Sequence, residues 1–202
     1  MSCERAAAVG CRAHTGWAAL VVVADGLERP EVIFRGRAEL ADPAGRVRRN
    51  VYQSSRTLAL DTAAELVEAA GRIAAEQAAA ALERTALQAR TEGAVVRSCA
   101  VVVGASGGAP LESILASHAL AHAAEGRLYQ DALLESAATC GLEAVAVPKR
   151  SIWEEAEAAL GLAENELRQR LVELRSEVGP PWAEDQKLAA LAAWIALTRT
   201  SS

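Results

Sequence analysis

Two histidines and a carboxylate lie at spacings that would place them on one face of a helix. His118 and His122 are four residues apart, and Glu125 follows three residues later. Residues three and four apart are neighbours on a helix, and two imidazoles with a carboxylate can bind zinc or iron. The sequence shows no fourth ligand and no known metal motif around them. A helix edge beside an apolar core is therefore the favoured interpretation, a metal site is the alternative, and no cofactor is expected.

A glycine-rich loop is a second candidate for chemistry. It comprises Gly104-Ala105-Ser106-Gly107-Gly108 and separates a valine-rich segment from a predicted helix. Backbone N–H groups in such loops can bind a phosphate, but the lysine that follows the glycines in phosphate-binding loops is absent. A close-packed turn is favoured. The alternative is an anion site that combines the loop residues Ser106, Gly107 and Gly108 with two cations, Arg12 and Lys187.

A group of arginines is the third candidate, because arginine contacts nucleic-acid phosphates. Its members are Arg46, Arg48, Arg49 and Arg56, with Tyr52 among them. Nucleic-acid sites combine such charges with stacking aromatic rings, yet aromatic residues make up only 3% of this chain and its net charge is -5. A solvated loop is therefore favoured, and contact with nucleic acid is the alternative.

Composition limits the class of protein. The chain has 202 residues, of which 51% are hydrophobic, enough for one folded domain over residues 1–202. Its four cysteines form no CxxC pair, which favours reduced structural thiols. No leader-like N-terminal segment and no apolar run of about 20 residues is evident. These features predict a cytoplasmic protein with no membrane partner.

The pattern of apolar residues predicts the elements that position these candidates. Three strands at 6–10, 16–24 and 31–40 form a meander, with a hairpin signal at Asp25-Gly26, and an arginine-rich loop covers 41–55. Helices are predicted over 61–90, 111–140, 151–160, 165–178 and 184–197, and two further strands over 95–103 and 142–147. This order predicts a mixed α/β sheet with helices on both faces.

The element order, with three short motifs, resembles the ribonuclease H-like fold and within it the RuvC branch of Holliday-junction resolvases. The first motif is Gly10-Cys11-Arg12 followed by Thr15-Gly16-Trp17, similar to the family's Gly-x-Asp and Thr-Gly-aromatic. The second is the strand that ends at Val103-Gly104, where the family has a glutamate. The third is the start of the last helix at 183–190, similar to Asp-x-x-Asp-Ala-Leu.

The resemblance implies a nuclease site from which most of the chemistry is missing. Family members cut phosphodiesters with two divalent cations held by four carboxylates. At the matching positions this chain has Arg12, Gly104, Glu184 and Lys187, with Asp185 beside the last pair. Hard cations need oxygen ligands, and the two basic side chains would repel Mg²⁺. The resemblance therefore implies a catalytically degenerate protein.

Three functions remain open at this stage. The leading one is a binding or scaffold module whose ligand lies over the cleft formed by Arg12, Gly104, Ser106, Glu184 and Lys187. A nuclease with a displaced carboxylate set, drawn from Asp25, Glu112 and Asp185, is the second, and a small-anion binder is the third. Arg12 either pairs with Glu184 and Asp185 in place of a metal or points to solvent. The alanine-rich helices over 63–87 and 184–197 have small side chains suited to close packing against a second subunit, and the resemblance implies a homodimer.

Overall fold

The computed structural model describes residues 4–25, 30–104 and 108–200. The five strands are β1 (Arg5–His14), β2 (Trp17–Ala24), β3 (Glu31–Glu39), β4 (Ala94–Val103) and β5 (Glu143–Pro148). The helices in these residues are α1 (Val51–Ser54), α2 (Leu60–Thr91), α3 (Leu111–Ala116), α4 (His118–Thr139), α5 (Ile152–Leu160), α6 (Glu164–Val178) and α7 (Glu184–Thr200).

The strands form one mixed sheet in the order β3-β2-β1-β4-β5. Strands β1, β2 and β3 pair antiparallel, as the predicted meander requires, whereas β4 and β5 run parallel to β1. The predicted α/β sheet with helices on both faces is confirmed. The Asp25-Gly26 hairpin signal lies mostly outside the described residues, although the antiparallel pairing of β2 with β3 is present.

The first strand is longer than predicted, because the polar residues that follow Gly10 continue the strand and do not form a turn. It continues through Arg12 to His14, and Thr15-Gly16 alone makes the turn into β2. Side chains alternate between the two faces of a strand, so Cys11 and Ala13 enter the core while Arg12 and His14 face the other side. Arg12 therefore lies within a strand and does not follow its end.

Two predictions about the helices also need correction. Residues 111–140 form two helices, because Ser117 has an extended backbone and its side chain accepts a hydrogen bond from the backbone N–H of Leu120 at the start of α4. The short helix α1 lies inside the predicted loop. Helix α5 begins without a side-chain cap, since the hydroxyl of its N-cap residue Ser151 is paired with the Glu155 carboxylate.

Each face of the sheet has its own core. Helices α2 and α4 cover one face, where Val9 and Cys11 pack with Leu82 and Leu133. On α2 the buried positions are mostly alanines, among them Ala70 and Ala74, whereas Leu66, Ala69 and Ile73 beside them are only half-buried. Small side chains allow this long helix to lie close to its neighbours.

The buried thiols Cys11 and Cys99 are adjacent on β1 and β4. Their sulfur atoms are 3.7 Å apart, and both cysteines are free. The pKa of the Cys11 thiol is raised well above its usual value, first by its hydrogen bond with Cys99 and then by burial. A buried thiol that stays protonated behaves as a small apolar side chain.

Helix α7 packs on the opposite face, with α5 and α6 beside it. Its residues 188–193 are all buried, among them Ala189 and Ala193. A Cβ atom at Gly10 would lie 1.8 Å from the backbone oxygen of Ala189, so only glycine permits this close approach of α7 to β1. The alanines of α7 pack against the sheet, so these small residues are not free to contact a second subunit.

Candidate functional site

The ends of three elements meet at one edge of the sheet. Strands β1 and β4 run parallel, with Arg12 beside Val102, so both carboxyl ends lie at this edge. The N-terminal turn of α7 reaches the same edge, where Asp185 contacts β1. In open α/β sheets such edges are the usual place for ligands. This arrangement brings together Arg12 and Asp185, two of the residues selected from the sequence.

Asp185 pairs with two side chains of β1. Its Oδ1 atom lies 2.8 Å from Nε2 of His14 and 3.9 Å from Nε of Arg12. The Arg12 side chain is only 15% exposed, and its Nε atom is buried without a hydrogen-bond partner in the part of the chain described. A charge interaction with Asp185 therefore holds the Arg12 guanidinium in the cleft, and Arg12 does not point to solvent.

His14 is oriented from a second side by Trp17. The two residues pair directly across the β1–β2 hairpin, and their rings stack with centroids 4.5 Å apart and 13° between planes. The guanidinium of Arg37 covers the Trp17 ring at 4.0 Å from its centroid, a cation–π contact. Both faces of Trp17 are therefore occupied, and its role is to support His14.

A polar cavity of about 670 Å³ opens next to His14. We call it the histidine cleft and define it by six of its lining residues: His14, Arg48, Arg49, His118, His122 and Glu125. The two histidines of α4 and both arginines are exposed, whereas Glu125 is buried. The cleft therefore joins the end of β1, the 41–50 loop and the first turns of α4 into one surface.

Glu125 and Tyr129 fix the floor of the cleft. The Glu125 carboxylate accepts the backbone N–H of Gln53 at 3.0 Å, and burial is the main cause that raises its pKa. The Tyr129 hydroxyl donates to the backbone oxygen of Arg49 at 2.7 Å. Burial also raises the pKa of Tyr129 to about 12, so it remains a donor at neutral pH. These contacts tie the arginine loop to α4.

The metal alternative for His118, His122 and Glu125 gains no geometric support. Within residues 4–25, 30–104 and 108–200, no three histidine, cysteine, aspartate or glutamate side chains converge to hold a metal ion. Glu125 is turned toward the Gln53 backbone, while both imidazoles are on the exposed side of α4. The three residues share a cleft without forming a ligand set.

The arginine group divides into two parts. Arg46 pairs with Asp42 at 3.5 Å within its own loop. Arg56 donates to the backbone oxygens of Leu115 and Ala116 at the end of α3, where a cation stabilises the helix terminus. Arg48 and Arg49 alone of the four line the histidine cleft.

The glycine-rich loop is only partly within the described residues, and Ser106 and Gly107 lie outside them. The backbone N–H of Gly104 donates a hydrogen bond to Oε1 of Gln130 at 3.1 Å. Gly108 lines a separate groove of about 390 Å³ between α2 and α4. On α7, Glu184 is exposed and Lys187 is half-buried. The loop and the last helix therefore do not form one continuous anion site through Gly108.

Asp42 organises the loop that carries Arg48 and Arg49. Its carboxylate accepts three backbone N–H groups, from Ala44, Arg46 and Val47, at 2.9–3.1 Å. These bonds, first of all that of Ala44, lower the pKa of Asp42. The charged form is therefore favoured by folding. The stability it contributes is present above the ordinary carboxyl pKa of about 3.9 and is lost as the pH falls through the lowered folded value.

We expect Asp42→Asn to lower the thermal midpoint at pH 7, and this deficit to shrink as the pH falls below about 4. Thermal unfolding of both proteins at pH 7, 5 and 3 measures this. Glu68→Gln, at an exposed position of α2, is the matched control and should show no such trend. A deficit that stays constant across the three pH values would contradict the role given to the Asp42 charge.

Sequence reasoning missed the partners of His14. The two-residue turn at Thr15-Gly16 contains the signal for one of them, since a two-residue hairpin places its flanking residues opposite each other on one face. The contact with Asp185 joins residues 171 positions apart, and no local pattern predicts it. The close approach of α7 to Gly10 creates that contact.

Of the comparisons with known proteins, the one with solved structures identifies the fold. No known protein family and no curated protein sequence matches the chain. Several solved structures do match. One is Thermus thermophilus RuvC, with a TM-score of 0.54 and 15% identity over 96% of this chain and 95% of that one. Another is T. thermophilus RuvC in complex with a Holliday junction substrate, with a TM-score of 0.52 and 15% identity over 96% of this chain and 94% of that one. The chain has a RuvC-like, ribonuclease H-like fold. None of the helices in the described residues is long and apolar enough to span a membrane.

Proposed function

We propose that this protein is a catalytically degenerate RuvC-like protein that acts as a binding or scaffold module. Its ligand or partner occupies the edge where β1, β4 and α7 meet. The observation that carries the proposal is the contact of Arg12 with Asp185 at 3.9 Å. At the position where the resemblance implies the first catalytic carboxylate, this chain has a largely buried guanidinium beside one of its few remaining carboxylates.

The charges at this edge oppose a pair of divalent cations. A two-metal site places two cations about 3.5–4 Å apart and needs several carboxylates to hold them. Here Arg12 and Lys187 contribute positive charge, Gly104 contributes no side chain, and the Asp185 carboxylate is already paired with His14 and Arg12. The Arg12 guanidinium gives Asp185 the positive charge that a metal cation would otherwise provide.

The displaced carboxylate set has no geometric support. Asp25 follows the end of β2, which pairs antiparallel with the beginning of β1 near Ala7. His14 and Asp185 lie at the other end of β1, about 23 Å away at ~3.3 Å per strand residue. Glu112 is exposed on α3. Asp25 and Asp185 therefore cannot bind the same pair of metals.

We also propose that two copies associate, as the family resemblance implies. Among the residues described, α2 exposes Leu60 and Leu87, with 47% and 65% of their surfaces accessible. The two leucines lie on opposite sides of α2, about 40 Å apart at 1.5 Å per residue, so the contact is placed around the more exposed Leu87. The alanines of α7 are buried, which favours α2 over α7. Sedimentation velocity tests this: a dimer that Leu87→Lys dissociates supports the proposal, and a monomer at all concentrations refutes it.

The main proposal is tested with a Holliday junction and Mg²⁺ or Mn²⁺, with T. thermophilus RuvC as the positive control. We expect no cleavage product from this protein under conditions in which the control cuts the junction to completion. Products that accumulate with metal and disappear in Asp185→Asn would refute the proposal, because they would show a working metal site at this edge. Binding of the junction to this protein is measured on the same samples, and its outcome does not depend on whether the junction is cut.

A further inference from the structure

All three histidines of the chain line a single cavity. The sequence contains His14, His118 and His122 and no other, and each of them borders the histidine cleft. They come from β1 and α4, which are separated by about a hundred residues of sequence. Two exposed arginines, Arg48 and Arg49, border the same space.

The cleft presents more positive than negative charge to a ligand. Among the described residues that line it, Glu125 is the one carboxylate. Glu125 is buried and accepts the Gln53 backbone N–H, so it forms part of the floor and is not an open partner for the arginines. Arginine presents a fork of donors that matches a phosphate, and protonated imidazoles add donors and charge.

The aromatic ring at the cleft is not available for stacking on a nucleobase. Trp17 is covered by His14 on one side and by Arg37 on the other. Sites that recognise bases use free aromatic faces. The cleft therefore suits the phosphate part of a ligand and offers nothing for the base.

We propose that the histidine cleft binds a phosphate group, either of a small phosphate compound or of a nucleic-acid backbone, and that its affinity rises as its histidines become protonated. The inference deepens the proposed function, since it rests on a binding module and names the chemistry of the ligand. It gives Arg48, Arg49, His118 and His122 one shared role, contact with the phosphate, in place of the metal binding considered for the two histidines.

Among side chains, imidazole is the one whose unperturbed charge changes between pH 5 and 8, so a comparison across that range tests what the histidines contribute. The charged groups that face the histidines come from four elements. Asp185 on α7 and Arg12 on β1 adjoin His14, Glu125 adjoins both histidines of α4, and Arg48 and Arg49 lie across the cleft on the 41–50 loop. The arginines keep their charge throughout this range, so the histidines determine the change.

Sulfate is the first probe, because it keeps its double negative charge from pH 5 to 8 and any pH dependence then belongs to the protein. Titration calorimetry at pH 8 and pH 6, with sodium chloride holding the ionic strength constant, measures the dissociation constant. We expect binding about tenfold tighter at pH 6, because a protonated imidazole in contact with the dianion adds attraction in a solvated site. A mixed-sequence duplex DNA, measured in the same way, is the second probe.

Variants at exposed positions separate the roles. We expect His118→Gln with His122→Gln to bring the affinities at pH 6 and pH 8 within about twofold of each other. Arg48→Ala should weaken binding at both pH values. Arg84→Ala, an exposed arginine on α2 outside the cleft, is the control and should change neither. Circular dichroism of each variant checks that the fold is intact.

Sulfate binding with the expected pH dependence supports a small phosphate compound as the ligand, and pH-dependent binding of DNA alone, weakened by Arg48→Ala, supports the nucleic-acid backbone. Affinity that is equal at both pH values, or unchanged in all variants, overturns the proposal. So does saturable binding of Zn²⁺ that His118→Gln abolishes. Failure here leaves the proposed function standing, since that is decided by metal-dependent cleavage at Asp185.

Discussion

Gly10→Ala is expected to destabilise the protein more than any other single methyl group added to the sheet. The new Cβ atom would lie 1.8 Å from the Ala189 backbone oxygen, 2.7 Å from its carbonyl carbon and 3.0 Å from the backbone nitrogen of Ala193. These atoms belong to a buried helix and cannot rotate away. Overpacking a rigid core costs about 1–3 kcal/mol or more, and a clash with backbone belongs at the upper end. Urea unfolding measures the loss.

Gly71→Ala is the matched control for this substitution. Gly71 lies within α2 and has nothing within 4 Å of its Cβ position, so alanine should stabilise the helix there by up to about 1 kcal/mol. The same chemical change is therefore expected to have opposite signs at the two positions. A Gly10→Ala protein as stable as the native one would mean that α7 does not approach β1 as described.

Arg12→Asp is expected to have the second-largest effect on stability, and the size of that effect should depend on divalent metal. Without metal, the introduced carboxylate faces Asp185, so an attractive contact becomes a repulsive one. We expect a loss of about 1–2 kcal/mol, discounted because Asp185 is 31% exposed. At roughly 2–4 °C per kcal/mol for a domain of this size, thermal unfolding in EDTA resolves the change.

Millimolar Mn²⁺ should restore much of the stability of Arg12→Asp, because two facing carboxylates provide oxygen ligands for a divalent cation and binding to the folded state raises its stability. The native protein should show no shift with Mn²⁺. Arg84→Asp, at an exposed position of α2, controls for the change in net charge. An Arg12→Asp protein that is indifferent to EDTA and Mn²⁺ would show that Arg12 does not occupy a cation position.

The sheet was predictable from the sequence, because alternation and apolar runs directly encode which residues are buried. The meander, the two parallel strands and their helices were all found this way. The errors arose where polar residues continue a strand, as in β1, or interrupt a helix, as at Ser117. Arg12 and His14 suggested a turn, yet they are the outward residues of β1, and their neighbours Cys11 and Ala13 fill the core.

The site was predictable only in part. The resemblance brought Arg12 and Asp185 into one cleft, and the structure places them 3.9 Å apart. The cleft with three histidines was not predicted, because it depends on the pairing of β1 with β2, on the hold of Tyr129 on the arginine loop and on the break between α3 and α4 at Ser117. Each is a tertiary contact or a local backbone choice that periodicity does not encode.

Asp185 connects the two parts of this edge. It contacts Arg12, which belongs to the proposed relic of a metal site, and His14, which borders the histidine cleft. Because the Asp185 carboxylate contacts both residues, substituting it would change both the response to divalent metal and the binding of anions in the histidine cleft. Variants that separate them are therefore Arg12→Asp on one side and His118→Gln with His122→Gln on the other.

The central claim is that a guanidinium, and not a divalent cation, neutralises Asp185. Anomalous scattering from crystals soaked in MnCl₂ tests it most directly, because manganese can be located without reference to any activity. We predict no manganese peak between Arg12 and Asp185 and an Arg12 side chain that stays in place. A manganese ion bound by Asp185, with the guanidinium displaced, would contradict the claim.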